Sequence, residues 1–258
     1  MKTINSFMKK LLIASFLFIV ITPIVAQNIE EKNTFGPRPD LRGDLTFSFG
    51  LNLLNRNNVD ALALRPFGSN SFSVGYMYPI NIGNSNFTFN GGISLSYEKY
   101  AFSNDSALTL AYEPIVGDDA FSTNAQIVRI DSAIIGSGFV EKSKFETNYI
   151  NIPVEFRYYI NKEKRGNGGF FIAAGASIGY LITGKTKIRY VENEETKKIK
   201  RKENFELNQF RYGAHVRIGI AGFGAFFNYD YSPVFNPGKG PENTSTIPVR
   251  FGLSFNLF

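Results

Sequence analysis

The sequence has no cysteine, which excludes a disulfide framework, a thiolate metal site and a cysteine-linked lipid anchor. It has a single histidine, His215, and no carboxylate-rich loop at calcium-ligand spacing, so no metal or other cofactor is expected. Tryptophan is absent as well, and the charged fraction is an ordinary 19%. Beyond the N-terminal segment no stretch approaches about 18 consecutive apolar residues, which excludes a transmembrane helix from the mature chain. What is abundant is phenylalanine (26), glycine (24) and tyrosine (13) among 258 residues. That composition fits one all-β domain better than a helical one.

Met1–Ala26 reads as a secretory signal peptide. Lys2, Lys9 and Lys10 give a positive start, Leu11–Val25 is almost wholly apolar, and Ala26 is small at the cut. Its apolar core is short for a membrane-spanning helix. Gln27–Gly43 is polar, holds two prolines and has no periodicity, as a flexible periplasmic lead-in would. An exported chain without helical spans is periplasmic, secreted or an outer-membrane barrel.

Alternation decides between these. In the final stretch, Thr246–Phe258, Ile247, Val249, Phe251, Leu253, Phe255 and Leu257 alternate with Pro248, Arg250, Gly252, Ser254 and Asn256. Strict alternation marks a two-faced β-strand. The same pattern occurs in Asp44–Leu54, Ser71–Ile80, Phe87–Tyr97, Phe145–Ile160, Gly169–Ile182, Phe210–Ile220 and Phe223–Ser232. Each run has about the 9–11 residues that a tilted strand needs to cross a bilayer, or somewhat more. Connectors alternate between long and short, the arrangement of an outer-membrane barrel with short periplasmic turns and longer outer loops. A soluble barrel such as a lipocalin would carry Lys and Glu on its polar face. Here that face is mostly Gly, Ser, Thr and Asn, which suit a narrow interior, and tyrosines fall toward strand ends as an interfacial girdle.

The expected fold is therefore an all-β, eight-stranded antiparallel up-and-down transmembrane barrel over residues 44–258, in the outer membrane of a Gram-negative bacterium. Ten strands remain open, because Ala107–Tyr112 and Ala125–Ile135 inside the Ser103–Lys144 connector have strand-like composition.

The inward set carries four arginines, Arg157, Arg211, Arg217 and Arg250, and four acids, Asp44, Glu98, Glu155 and Asp230. Charges in a narrow lumen are costly unless paired. The balance predicts an ion-pair lattice, with His215 in its hydrogen-bond network, and a plugged barrel more than an open pore. A small-solute channel is the alternative, with the same charges lining a wet path.

Motifs for chemistry are weak. Gly175–Gly179 (GASIG) matches the G-x-S-x-G nucleophile elbow, but it lies inside an alternating strand and not at a strand-to-helix turn. Ser177 and His215 share the inward face, which is short of a hydrolase without an orienting acid and an oxyanion site. Gly238-Lys239-Gly240 lacks the phosphate-loop spacing. No enzyme is expected.

Thr183–Leu207 is the most charged stretch. Between Lys185 and Lys202 lie eight basic residues (Lys185, Lys187, Arg189, Lys197, Lys198, Lys200, Arg201 and Lys202) against three acids. It reads as a tall outer hairpin, with Lys185, Lys187 and Arg189 continuing the strand alternation. Such a hairpin binds acidic lipid headgroups or an acidic protein partner, or is simply solvated so that its edge stays soluble. A monomeric barrel in outer-membrane lipid, with no nucleic-acid partner, is expected.

The motifs NYINIPVEFRY at Asn148–Tyr158, FRYGAHVRIG at Phe210–Gly219, YDYSPVF at Tyr229–Phe235 and the closing RFGLSFNLF together carry a resemblance. The chain resembles the outer-membrane β-barrel family of Bacteroidota that includes PorT-like proteins, over nearly all of the mature sequence. The resemblance implies a barrel and, by fold-level analogy, an accessory role in protein secretion. It transfers no catalytic residue. The usual terminal signature places the last Phe in phase with the lipid-facing set; here Leu257 is in phase and Phe258 is not.

Overall fold

The computed structural model describes residues 43–55, 62–103, 108–114, 121–130, 135, 138–165 and 168–257. The signal-peptide segment, all of the lead-in except Gly43, and Phe258 fall outside them. In chain order the strands are β1 (Asp44–Asn55), β2 (Asn70–Asn81), β3 (Phe87–Ala101), β4 (Leu108–Pro114), β5 (Phe121–Arg129), β6 (Phe139–Tyr159), β7 (Phe171–Glu192), β8 (Glu195–Arg201), β9 (Phe210–Ile220), β10 (Phe223–Asp230) and β11 (Ile247–Asn256).

Eight of these close a barrel in the order β1, β2, β3, β6, β7, β9, β10, β11, all neighbours antiparallel. The seam joins β11 back to β1, from Thr46 opposite Asn256 to Asn55 opposite Ile247. The strand count settles at eight. The connector between β3 and β6 does hold a hairpin, but β4 and β5 pair with each other in a separate two-stranded sheet. They have no place in the wall because β3 and β6 are already zipped from Phe87 opposite Tyr158 to Ala101 opposite Lys144.

One end of the barrel carries short turns. The tightest is Ala221-Gly222, with φ of 51° and 83°. Two successive positive φ values give a primed hairpin turn, whose twist matches that of the flanking strands. The other end carries the long loops.

Alternation in sequence becomes inside and outside. Ile152 and Ile178 are each 62% exposed on the outer wall, while Glu155 and Arg157 on the inner wall are 1% exposed. The outward side chains form a continuous apolar belt rather than scattered residues, as lipid contact requires. Across strands its rings meet in pairs, with centroids 4.9 Å apart for Phe49–Phe72 and 5.2 Å for Phe89–Phe156, Tyr180–Phe210 and Phe223–Phe255. Leu257 is exposed on this face.

The barrel wall does not end evenly. β6 and β7 stay paired past the loop-end rim as far as Phe139 opposite Val191, and β8 adds a third strand to this extension. At the rim β7 carries one extra residue, Ile182, because Asn148 faces Thr183 while Tyr149 faces Leu181. A bulge of one residue exchanges the faces of everything beyond it. Simple continuation would send Lys185, Lys187 and Arg189 to the lumen side. Beyond the bulge it is Gly184, Thr186 and Ile188 that are buried instead.

Arginine in place of Ile178, near the middle of the belt, is expected to lower stability in lipid vesicles by about 2–4 kcal/mol. Leucine there should leave stability nearly unchanged. Denaturant unfolding followed by heat-modifiable electrophoretic migration measures both.

Candidate functional site

The lumen charges gather in two clusters. Toward the turn end, Arg157 of β6 bonds both Glu155 and Asp44, the first residue of β1. Glu155 also meets two groups from β9, His215 Nε2 at 3.2 Å and Arg217 Nη1 at 3.5 Å. Arg217 donates further to Asn256 Oδ1 at 3.2 Å, which also accepts from Thr46 Oγ1 at 2.9 Å. Below Arg157 the ring of Phe171 lies 5.0 Å from the guanidinium carbon and packs against Tyr159.

Toward the loop end, Glu98 of β3 sits between two arginines. Its Oε1 accepts from Arg211 Nη1 and from Arg250 Nη1, each at 2.5 Å, and its Oε2 accepts from the Tyr100 hydroxyl at 2.8 Å. Arg250 also donates to Asp230 at 2.5 Å. Arg211 donates to Asn151 Oδ1 and lies 3.9 Å above the ring of Tyr149. All nine charged or ionisable lumen residues are less than a tenth exposed.

Between the clusters is a cavity of about 110 Å³, room for a few waters. Serines 48, 71, 73, 94, 96 and 177 supply much of its wall. The energetic sign of such clusters is asymmetric. A buried pair returns little net stability against an apolar replacement, but removing one partner strands the other charge.

The GASIG motif has a structural reason here. Gly179 faces Arg211 across the β7–β9 ladder, and a Cβ on it would lie 2.5 Å from Asn151 Oδ1 and 2.9 Å from Arg211 Cγ. At Gly175 it is the neighbouring strand that comes close: a Cβ there would lie 2.2 Å from the Val154 carbonyl oxygen and 2.7 Å from Glu155 Cβ. Gly179 makes way for the Arg211 side chain that crosses it, and Gly175 for the close approach of β6 at Glu155. Ser177 stands opposite Gly213, and no hydrogen bond among the described residues links it to His215.

Above the loop-side cluster the loops form an apolar cap. Leu62, Phe102, Leu110, Ala125, Phe205, Leu207, Val234 and Phe235 join Tyr100, Phe145, Tyr149 and Leu181 from the wall in one buried cluster. The loops pair with one another through bridges at Leu64–Phe102 and Leu207–Phe235, and the β4–β5 hairpin bonds the last loop through Ala125 N to Lys239 O at 3.0 Å. Sequence reading did not find this cap, because loop residues have no period to betray them. It also passed over Phe226, whose ring lines the cavity and packs against Gly50, since adjacent Phe227 fills the outward position.

The eight basic residues of the hairpin divide between two faces. Lys185, Lys187, Arg189, Lys198 and Lys200 share the outer one, while Lys197 and Arg201 lie on the opposite side of the sheet, and Lys202 follows β8. Lys197 bonds Glu192 at 2.8 Å.

An eight-stranded antiparallel barrel with a lipid-type belt outside and paired charges inside is a transmembrane β-barrel. The chain belongs to the outer membrane protein beta-barrel domain family, whose model matches residues 26–236 and so places the protein in the outer membrane. No curated protein matches the chain. Among solved structures, Ail, the attachment invasion locus protein of Yersinia pestis, aligns at 11% identity over 83% of this chain and 97% of that one, with a TM-score of 0.35. Its complex with the heparin analogue sucrose octasulfate aligns over the same shares at 11% identity, with a TM-score of 0.30. A mutant of the Rh. blastica porin aligns at 11% identity over 83% of this chain and 99% of that one, with a TM-score of 0.18.

Glu98→Gln is expected to destabilise the barrel by about 3–5 kcal/mol, because two arginines lose their shared anion. Pairing Glu98→Met with Arg250→Met should recover part of that loss. Urea midpoints of the folded protein in vesicles report both values.

Proposed function

We propose that the protein is a closed outer-membrane barrel that serves as a structural or binding component, neither a pore nor an enzyme. The observation that carries this reading is the stacking along one axis of two ion-pair clusters and an apolar loop cap. Any solute path along the lumen meets Arg157 with Asp44 and Glu155, then Arg211 and Arg250 with Glu98, then the buried rings of Phe102, Phe205 and Phe235. Charges so paired hold their side chains across the bore, and an apolar cap excludes the water an ion would need. Within this reading the PorT-like resemblance supports an accessory place beside protein secretion, where such a barrel holds partners at its rim.

A hydrolase reading draws no support from Ser177, which no hydrogen bond among the described residues links to His215; Glu155 on the imidazole does not make a triad without that bond. Planar-bilayer recording tests the closed reading. The intact barrel is expected to show no large, steady conductance, and the serine-lined cavity alone should pass none. Steady openings in the unmodified protein would overturn it.

A further inference from the structure

The extension of β6, β7 and β8 has two unlike faces. Its inner face packs Val140 and Ile188 with Ile130 and Ile135, and Tyr190 and Ile199 lie against them. Its outer face is a cationic grid set by the strand register. Lys142, Arg189 and Lys198 stand side by side across the three strands, and Lys144, Lys187 and Lys200 form the next row. A third row, nearer the rim, runs Lys99, Glu146, Lys185 and draws in β3. Lys99, Lys142 and Lys144 lie outside the hairpin, so its charge count in sequence could not include them.

Like charges directly opposite one another on a sheet oppose folding. Two acids answer eight bases on this face. Glu146 accepts from Lys144 at 2.6 Å and Lys185 at 2.9 Å, and Glu141 at the second bulge holds Arg189. The middle row shows the remaining strain, since burial and the neighbouring Lys144, Lys200 and Lys198 pull the Lys187 ammonium below its ordinary pKa. No element among the described residues covers the outer ends of Lys142, Lys198 and Lys200, all of them exposed.

The position of the grid selects its occupant. On β6 the outward residues run from Phe156, Val154, Ile152 and Ile150 through Asn148 to Glu146, Lys144 and Lys142 without a break in phase, so the lipid-facing wall continues directly into the cationic face. The belt edge is marked by Tyr97 and Tyr180, and Lys185 Nζ lies 5.5 Å from the Tyr97 ring centroid. At about 3.4 Å per residue and a tilt near 40°, the three rows stand roughly 10, 15 and 20 Å above Ile150. A phospholipid headgroup layer is only about 5–8 Å deep. A headgroup whose phosphates are carried on sugars is thick enough to meet more than one row.

We propose that this face binds the phosphorylated saccharide headgroup of an outer-leaflet glycolipid, with the lysine rows taking phosphates at successive heights. The long loops of such barrels face outward, which puts the grid in the outer leaflet. Lysine binds phosphate as a point charge and needs no fixed fork geometry, so a grid of lysines suits a mobile, heterogeneous lipid. The inference deepens the reading of the barrel as a binding component, and it is indifferent to whether the lumen conducts.

The experiment uses the full chain folded in phosphatidylcholine nanodiscs doped with a diphosphorylated glucosamine-disaccharide lipid or with its dephosphorylated form. Lipid retained on the purified barrel is quantified by native mass spectrometry. About tenfold preference for the phosphorylated lipid is expected. Lys144→Ala/Lys187→Ala/Lys200→Ala should abolish the preference, as should Lys142→Ala/Arg189→Ala/Lys198→Ala if the first triple variant fails to fold. Lys197→Ala/Arg201→Ala, on the opposite face, should retain it. Heat-modifiable migration certifies each fold. Equal retention of both lipids, or wild-type preference in a folded row variant, would overturn the proposal. So would equal binding of the free, deacylated phosphosaccharide, which would make the face a general polyanion site. Conductance recorded on the same preparation reports the closed-lumen reading separately.

Discussion

Inside hydrocarbon a peptide group has no water to bond, so each N–H and C=O in the wall must find its partner in a neighbouring strand. That constraint is met only when the sheet has no edge, and here it is met by the pairing of β11 with β1. Closure at eight strands fixes a narrow bore, and a narrow bore decides which inward side chains are permitted. Serines are the commonest residues along its cavity. The charges that remain reach across the axis to opposite charges, and Gly179 lies where the Arg211 side chain must pass.

The fold was largely legible because membrane strands write both faces into sequence. Period-2 alternation located all eight wall strands, and loop lengths ordered them, without any knowledge of partners. What alternation cannot reveal is pairing. Arg157 and Asp44 are 113 positions apart, and Arg250 and Glu98 are 152 apart, so the inward set could be named while its couples could not. Registers also hide bulges. Ile182 is an unremarkable apolar residue until its neighbours Leu181 and Thr183 are seen opposite Tyr149 and Asn148. The apparent phase of Lys185, Lys187 and Arg189 is wrong by one residue for that reason alone.

The extension and the cap are two uses of the same loop end. Apolar loop residues turn inward over the mouth, where Phe145 and Leu181 already present buried surface. The strands that rise past the rim keep their apolar side toward the molecule and their lysines away from it. The β4–β5 hairpin shows how a connector of this length stays ordered without entering the wall. It buries Leu110 and Ala125 in the cap and ties Tyr112 to the backbone N–H of Glu206 at 3.1 Å.

The wiring of the lumen bears on how such a barrel can be put together. Arg157 ties β6 to β1, and Arg250 ties β11 to β3 as well as to its neighbour β10. The first two are bonds across the bore between strands that do not touch along the wall. An arc of sheet lacking its last strand would therefore hold Glu98 and Asp230 short of a partner and Gly50 without Gly252 beside it. Half-built intermediates are penalised twice, by bare edges and by stranded charges. Insertion and closure then become a single cooperative event, in which the final strand completes the electrostatics of the interior as it completes the wall.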